Sequence, residues 1–277
     1  MEYIKTNRGI EIRIGKCFDL KNTFECGQCF RWNENTDGSY SGIVGDKYMT
    51  VFRDGEFIVI ANADENDYQT IWKRYFDLNV CYDDIKRELI SLDDRLKCAA
   101  DSIDGIRILN QNPWETLCSF IISQNNNIPR IKGIVERLCE NFGDKIPNGY
   151  TFPSAEKIAA LDIDDLAPLK AGFRARYITD AAKKVSSGEV NLESMRDKPI
   201  EDCRKELMKI TGVGEKVAEC TLLYGLHRLE AFPIDVWMKK ALSTLFSGVS
   251  PENLGQYAGI AQQYIFHYSR MNPDLVK

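Results

Sequence analysis

The fold of this chain is decided by the stretch Leu207-Met208-Lys209-Ile210-Thr211-Gly212-Val213-Gly214-Glu215-Lys216-Val217-Ala218-Glu219-Cys220. Its first four residues are mostly apolar and end one predicted helix, and a second helix begins directly after Gly214. Because glycine adopts positive φ at little cost, Gly212 and Gly214 allow a tight turn between the helices. Backbone N–H groups in such a turn can face outward beside the positive end of the second helix, where a phosphate oxygen is favoured. The stretch therefore predicts two helices joined by an anion-binding turn over about residues 207–220.

Two helices joined in this way form a helix-hairpin-helix, which holds a DNA backbone without reading the base sequence. In this interpretation Gly212, Val213 and Gly214 contact the phosphates. The alternative is an ordinary antiparallel pair of helices with a glycine turn, because such turns are common.

Two residues near the hairpin have side chains that are suited to catalysis. Lys216 lies at the start of the second helix, where the helix dipole disfavours a cation, and a neutral amine is a nucleophile. Nineteen residues later, Asp235 follows Pro233 and is well placed to cap a new helix. Taken singly, Lys216 is better explained by a phosphate contact or by solvent, and Asp235 by capping alone. At this spacing after this hairpin, we interpret them as catalytic residues.

Through the hairpin, Lys216 and Asp235, the sequence resembles the helix-hairpin-helix DNA glycosylases of base excision repair. Four further segments narrow the resemblance to the 8-oxoguanine DNA glycosylase/AP lyase branch, and they occur in the family's order over nearly the whole chain. They are residues 27–32, residues 125–128 with Arg130, residues 173–177, and Ala261-Gln262 with Phe266. The hairpin with Lys216 and Asp235 is specific for the superfamily, and the four segments are specific for the branch.

The resemblance implies a role for each of these residues. Lys216 attacks C1′ of the extruded nucleotide, and Asp235 stabilises the positive sugar. The residues implied to hold the damaged base are Gly27, Cys220, Gln262 and Phe266. Those implied at the opposite cytosine are Asn125, Arg130 and Arg174, with Phe173 as a wedge, and those implied at the DNA backbone are Gly212, Val213, Gly214 and Trp237.

The spacing of the base-pocket residues agrees with this assignment. Cys220 lies one turn after Lys216, so both side chains face the same way. Gln262 and Phe266 are also one turn apart, so the ring can stack on a base while the amide bonds the edge of a purine. Gln263, the next residue, is the alternative to Gln262 as the source of that amide. As isolated residues, Cys220 and Phe266 would more often belong to a core.

The residues implied at the opposite base can also be explained without a role in base recognition. Asn and Arg side chains carry the donors that the O2 and N3 acceptors of cytosine need. Without the resemblance, Arg174 is equally well explained by a phosphate contact or an ion pair, and Phe173 by a place in the core. In the family, the carbonyl of Gly27 accepts the N7–H that 8-oxoguanine has and guanine lacks, which discriminates damage by one hydrogen bond.

The chain departs from the family's pattern at two positions. Trp237 stands where better-known members carry His, and an indole N–H can donate but cannot titrate. Phe173 stands where Tyr is usual, which removes a hydroxyl from the wedge. We therefore expect a looser preference for the opposite base than in the family at large.

Composition sets bounds on the class of protein. The 277 residues are 44% hydrophobic and 28% charged, which indicates a globular protein with a substantial core. We find neither a membrane-length apolar run nor an opening typical of a signal peptide. Nine scattered cysteines indicate free thiols in a reducing, intracellular compartment. No cysteine follows Cys220, so the four-cysteine iron–sulfur loop of some relatives cannot form after Asp235.

The net charge of −5 argues mildly against DNA, but a basic face matters more than the average. One basic cluster surrounds the hairpin and consists of Lys198, Arg204, Lys205, Lys209 and Lys216. A second consists of Arg174, Arg176, Lys183 and Lys184. Solvated helix faces are the alternative interpretation of both clusters.

The predicted fold class is α+β. Alternating stretches at residues 9–14, 39–44, 47–52 and 56–60 predict an antiparallel meander, and residues 64–98 predict helix with an apolar stripe. Helices are predicted to start at Pro113, Ser154, Pro199, Asp235 and near Asn253. The resulting domains are a sheet domain over residues 1–98 and a helical domain over residues 99–277.

These expectations together predict a bifunctional glycosylase/AP lyase acting on double-stranded DNA with 8-oxoguanine, opposite cytosine. We expect a monomer with no required cofactor, no iron–sulfur cluster and no catalytic metal, and leave room for a structural cation at the hairpin. A lone C-x-x-C at residues 26–29 is weak evidence for a metal site. The alternatives are a related glycosylase for another damaged base and a non-catalytic helix-hairpin-helix DNA-binding module.

Overall fold

A computed structural model describes residues 2–276 and shows an antiparallel sheet at the N-terminal end followed mainly by helices. The α+β fold class is therefore confirmed. The strands are β1 Tyr3–Thr6, β2 Gly9–Arg13, β3 Trp32–Glu34, β4 Tyr40–Val44, β5 Lys47–Asp54 and β6 Phe57–Ala61, in the order β1-β2-β6-β5-β4-β3. A small hairpin is formed by β7 Lys145–Ile146 and β8 Gly149–Tyr150. The four predicted strands are present, whereas the short strands β1 and β3 were not predicted.

The chain divides into two compact units that are each built from separated segments. The first unit comprises residues 1–28, 51–110 and 227–277, and the second comprises residues 29–50 and 111–226. The chain passes from one unit to the other within β5. The boundary expected between residues 98 and 99 stays a prediction.

The first unit contains β1, β2, β6 and the second half of β5. Its helices are α1 Leu20–Phe24, α2 at residues 65–75, α3 Tyr82–Leu92, α4 Lys97–Ser102, α11 Val236–Ser243, α12 Pro251–Leu254 and α13 Ala258–Met271. In the sheet, Ile10 pairs with Ile60 and Ile12 with Ile58, and all four side chains are fully buried. Burial of these branched residues fixes the register, because a slip by one residue would turn them to the opposite face.

A buried arginine holds the loops of this unit together. The Arg107 guanidinium donates to the carbonyl oxygens of Phe76 at 2.8 Å, Cys17 at 3.0 Å and Val80 at 3.0 Å, and also to that of Asp77. Burial lowers the pKa of Arg107 from its ordinary value. The carbonyl dipoles compensate the charge, so this side chain ties together chain segments distant in sequence.

The second unit contains β3, β4, the first half of β5 and the hairpin β7–β8. Its helices are α5 Pro113–Ser123, α6 Ile128–Phe142, α7 Ala155–Ala159, α8 Arg174–Ser186, α9 Ile200–Leu207 and α10 at residues 215–225. The last five residues of α10, Thr221–Gly225, form a π-helical turn. Such turns are rare and occur often near functional sites.

Most helix starts follow the predicted caps. Asn112 accepts a hydrogen bond from the backbone of Glu115 ahead of Pro113, and Ser154 caps α7. Asp235 caps α11. The start expected near Asn253 lies instead at Pro251, because proline supplies the first residue of α12. Within residues 2–276, no helix is long and apolar enough to cross a membrane.

Candidate active site

The predicted hairpin is present, with a turn between Leu207 at the end of α9 and Glu215 at the start of α10. Gly212 has φ of +81°, and a Cβ there would lie 2.4 Å from the ring of Tyr177. Glycine is therefore required at this position by both conformation and space. Gly214 differs, since its φ is −104° and a Cβ would meet no atom within 4 Å. The expectation of positive φ is confirmed for Gly212 and is wrong for Gly214. The exposed backbone of Gly214 borders open space at the start of α10.

An aspartate that the sequence analysis missed fixes this turn. Asp180 Oδ2 accepts a hydrogen bond from the Thr211 backbone at 2.7 Å and another from Lys184 Nζ at 3.0 Å. Lys184 Nζ also donates to the Lys209 carbonyl at 2.6 Å. Burial opposes ionisation of Asp180, but the bonds from Thr211 and Lys184 outweigh it and lower the pKa of that carboxyl. Lys184 therefore holds the hairpin, and the spacing of four residues between Asp180 and Lys184 was the available signal.

Lys216 lies half-buried in the first turn of α10. Its Nζ donates to Ser123 Oγ at 3.1 Å and lies 4.9 Å from the ring centroid of Phe120. Both contacts come from the C-terminal end of α5, and sequence reasoning identified neither residue. Cys220 is 3% exposed and follows one turn later in α10, as its spacing predicted.

Asp235 belongs to the other unit, at the start of α11. Its Oδ1 accepts the Met238 backbone N–H at 2.8 Å, so the predicted cap is present. The neighbouring side chains are apolar and exposed, with Val236 71% and Trp237 40% accessible. A half-buried carboxylate beside exposed apolar groups suits contact with a sugar, whose faces are apolar between polar edges.

The other expected base-pocket residues lie in the first unit. Gly27 is half-buried with φ of +87°. Gln262 is 4% exposed on α13, and its Oε1 accepts from Gln263 Nε2 at 3.1 Å. Phe266 is half-buried one turn later, with the Arg270 guanidinium 5.6 Å from its ring centroid. Gln263 is equally buried, so burial does not separate the two amide registers.

The expected opposite-base residues lie together in the second unit. Asn125 and Arg130 are exposed, and Asn125 has φ of +47°. Phe173 is 45% exposed, so the alternative that it belongs to the core is wrong. An exposed phenyl ring at the start of a helix has the form that a wedge requires.

Arg174 is buried and held by backbone carbonyls, whereas a side chain that contacts bases would be expected at the surface. It is 3% exposed, and its guanidinium donates to the carbonyls of Gln124, Asn125 at 3.0 Å and Ala171 at 3.2 Å. Burial, reinforced by the charge of Arg130, lowers the pKa of Arg174. Arg174 thus anchors the loop that carries Asn125, and its contact with a base stays a prediction.

The cysteines and acidic residues provide no metal centre within the described chain. All nine cysteines carry thiols that are not joined in disulfides, and no group of three or more metal-binding side chains occurs within residues 2–276. Burial raises the pKa of Cys26 to about 11, which keeps the first thiol of the C-x-x-C protonated at neutral pH.

Comparison with known proteins identifies the family and fold to which this chain is similar. Residues 11–117 match the family model of the 8-oxoguanine DNA glycosylase N-terminal domain, and residues 118–253 match that of HhH-GPD superfamily base excision DNA repair proteins. A structure of MBOgg1 with a low-affinity DNA ligand is 42% identical, with a TM-score of 0.91, and the match covers 99% of this chain and 100% of that one. The Clostridium acetobutylicum 8-oxoguanine glycosylase/lyase, solved with double-stranded DNA containing cytosine opposite 8-oxoguanine, is 39% identical, with a TM-score of 0.92 and 99% coverage of both chains. The Saccharomyces cerevisiae N-glycosylase/DNA lyase is 34% identical over 80% of this chain and 66% of its own length.

Proposed function

The chain belongs to the 8-oxoguanine DNA glycosylase branch of the HhH-GPD superfamily, and we propose that it excises 8-oxoguanine from double-stranded DNA and then cuts the strand. The observation that carries the proposal is the half-buried Lys216 amine at the first turn of the hairpin's second helix, held by α5. A glycosylase that used only water would need Asp235 but not this lysine, so the lysine supports lyase activity.

The reaction starts when the target nucleotide is extruded from the duplex. The lone pair of neutral Lys216 forms a bond to C1′, and the bond between C1′ and the base nitrogen breaks. Its electron pair goes to the base, which takes up a proton. Asp235 stabilises the positive charge that develops on the sugar during this exchange.

The covalent intermediate then leads to strand cleavage. The C1′ ammonium loses a proton, and the nitrogen lone pair then forms the C1′–N double bond while the bond between C1′ and the ring oxygen O4′ breaks. O4′ keeps the electron pair and takes up a proton, which leaves a protonated Schiff base with Lys216. Loss of a proton from C2′ expels the 3′ phosphate by β-elimination. The strand is cut 3′ to the lesion.

The remaining residues bind and recognise the substrate. The Val213 N–H donates to the Ile210 carbonyl at 3.0 Å, so it closes the turn itself. The neighbouring N–H groups at Gly212 and Gly214 hold phosphate oxygens, and the open space beside Gly214 admits them. Phe266 stacks on the extruded base and Gln262 bonds its edge. Phe173 fills the gap beside the orphaned cytosine, which Asn125 and Arg130 contact.

We further propose that catalysis requires no cofactor, because the lysine itself supplies the covalent chemistry. The absence of disulfides among the nine cysteines of residues 2–276 supports action within a reducing cellular compartment. A structural cation at the hairpin stays a prediction.

A panel of duplexes tests the proposal. Wild-type protein is incubated with duplexes carrying 8-oxoguanine opposite each of the four bases, and with one carrying an alkylated purine. We expect release of 8-oxoguanine, fastest opposite cytosine, with cleavage of the lesion strand. Release of the alkylated purine alone would favour the related glycosylase, and tight binding without release would favour a non-catalytic DNA-binding module.

A further inference from the structure

The amine of Lys216 is held by two groups at the end of α5. Ser123 is the last residue of that helix, and its hydroxyl donates to the Phe120 carbonyl at 2.8 Å. The proton of the hydroxyl is therefore engaged, and Oγ is left as an acceptor for Lys216 Nζ at 3.1 Å. The ring of Phe120 provides the second contact, with its centroid 4.9 Å from Nζ, within the range of a cation–π interaction.

The ring that contacts the amine is itself fixed. Phe120 is 4% exposed and stacks on Tyr224 with ring centroids 5.4 Å apart and an interplanar angle of 19°. Phe30 meets it edge-on at 5.7 Å. Since all three rings belong to one unit, Phe120 presents a rigid surface to the amine rather than a mobile one.

We infer that Ser123 and Phe120 are positioning residues that aim the lone pair of Lys216. The inference rests on the proposed role of Lys216 as the nucleophile. A neutral amine has two N–H bonds and one lone pair. With one N–H directed at Ser123 Oγ and the other at the face of Phe120, the lone pair points away from both.

The protonated amine fits the same arrangement. Two of its three N–H bonds engage Ser123 Oγ and the Phe120 ring, and the third points away from them. Transfer of that third proton to water leaves the lone pair pointing away from Ser123 and Phe120, without rotation of the side chain. Such alignment accelerates reaction by removing orientational freedom before the sugar arrives.

A second serine in the same setting separates positioning from helix termination. Ser186 is the last residue of α8, and its hydroxyl donates to the carbonyl three residues earlier, Lys183, at 3.2 Å. Ser123 makes the same bond to Phe120 but also accepts from Lys216. Ser186→Ala therefore removes the helix-terminal bond alone.

The experiment uses a duplex with a preformed abasic site, which removes base recognition from the measurement. Wild-type protein, Ser123→Ala, Ser123→Thr and Ser186→Ala are compared by the rate of borohydride-trapped adduct at saturating DNA, by the DNA concentration at half-maximal rate, and by Tm. We expect Ser123→Ala to lower the saturated rate about tenfold, well inside the range that misalignment produces, with the half-saturating concentration unchanged. Ser123→Thr restores the rate, and Ser186→Ala matches wild type.

Phe120→Leu provides a second, independent variant, because it keeps an apolar side chain and removes the ring face. We expect a slower saturated rate here too, with DNA affinity unchanged. A wild-type rate in Ser123→Ala, or equal slowing in Ser123→Ala and Ser123→Thr, would overturn the inference while leaving Lys216 as the nucleophile. No adduct with the wild-type protein would instead overturn the proposed function, and the inference with it.

Discussion

At the scale of single residues, two buried arginines act in the same way in the two units. Arg107 and Arg174 each direct their guanidinium groups at backbone carbonyls, and burial lowers the pKa of both. A fork of N–H donors can satisfy several carbonyls at once, which a lysine ammonium cannot do in the same plane. The result is a fixed loop around residues 76–80 in one unit and around residues 124–125 in the other.

Sequence reasoning named Arg174 but could not place it. The motif over residues 173–177 identified it from the resemblance, yet two of its three acceptors, Gln124 and Asn125, lie 50 and 49 residues away. Local spacing does not report such pairings, because an arginine's partners depend on which loops the tertiary fold brings near it. Ser123 and Phe120 were missed for the same reason, since 93 residues separate Ser123 from Lys216.

One substitution can separate the two roles of Asp235, which caps α11 and, in the proposed reaction, stabilises the positive sugar by its charge. Asp235→Asn keeps a side-chain oxygen for the Met238 N–H, and Asn caps helices as well as Asp does. We expect Tm to stay unchanged while excision of 8-oxoguanine slows about 100-fold, the scale of losing one transition-state charge contact. Single-turnover excision and thermal unfolding measure the two effects. If Asp235→Asn unfolds the protein and Asp235→Ser restores both stability and rate, capping is the whole role.

Base recognition on α13 is testable without disturbing the lysine. Phe266→Ala should weaken productive binding of the lesion duplex by about 1–3 kcal/mol, the scale of base–aromatic stacking. Gln262→Ala should lose less, because water can replace part of an amide contact. Cleavage of a preformed abasic duplex needs no base and should continue at the wild-type rate in both variants. A parallel fall of excision and abasic cleavage would show that both residues are structural.

At the scale of elements, the hairpin glycines have different physical roles. Gly212→Ala forces a Cβ into the Tyr177 ring at positive φ, so we expect a clear loss of Tm. Gly214→Ala meets no such obstacle and should leave Tm unchanged or slightly raised, because alanine restricts the unfolded chain. It should nonetheless weaken DNA binding, since the added methyl group occupies the space offered to a phosphate. Wild-type affinity in Gly214→Ala would contradict the hairpin's role at the backbone.

The elements predicted best were those with strong local signals. Alternation identified β2, β4, β5 and β6, and Pro113, Ser154 and Asp235 located the starts of α5, α7 and α11. The strands β1 and β3 have only four and three residues, which is too short for a period of two to stand out. The π-helical turn at the end of α10 has no local signal, because packing rather than sequence period determines it.

At the scale of the whole molecule, charge is arranged less favourably for DNA than the sequence suggested. Much of the cluster expected around the hairpin is paired, with Lys198 2.9 Å from Glu206 and Lys205 3.8 Å from Asp202. Arg204 pairs with Glu219. Asp202 precedes Lys205 by three residues on one helix, and the other two pairs join residues more distant in sequence, so the net basic face is smaller than a count of cations implies.

The salt dependence of DNA affinity measures directly how many cations of the basic face contact phosphates. With Lys198, Arg204 and Lys205 of the hairpin cluster paired, we expect a plot of log affinity against log salt to have a slope of about −2 to −4 despite the net charge of −5. Lys209→Ala should make the slope less negative by about 1, as loss of one phosphate contact does. Lys5→Ala, on strand β1, is the matched control and should leave the slope unchanged. A slope near zero for the wild-type protein would remove the backbone interpretation of the hairpin.

The location of the covalent bond to DNA shows most directly whether Lys216 is the nucleophile. Wild-type protein is reacted with an 8-oxoguanine duplex, reduced with borohydride and digested, and the adduct is located by mass spectrometry, with Lys216→Ala as the paired variant. The proposed role of Lys216 predicts a single adduct on that residue, and a Lys216→Ala protein that binds the duplex but neither releases the base nor forms an adduct. An adduct on another lysine, such as Lys209 or Lys239, or efficient trapping by Lys216→Ala, would contradict it.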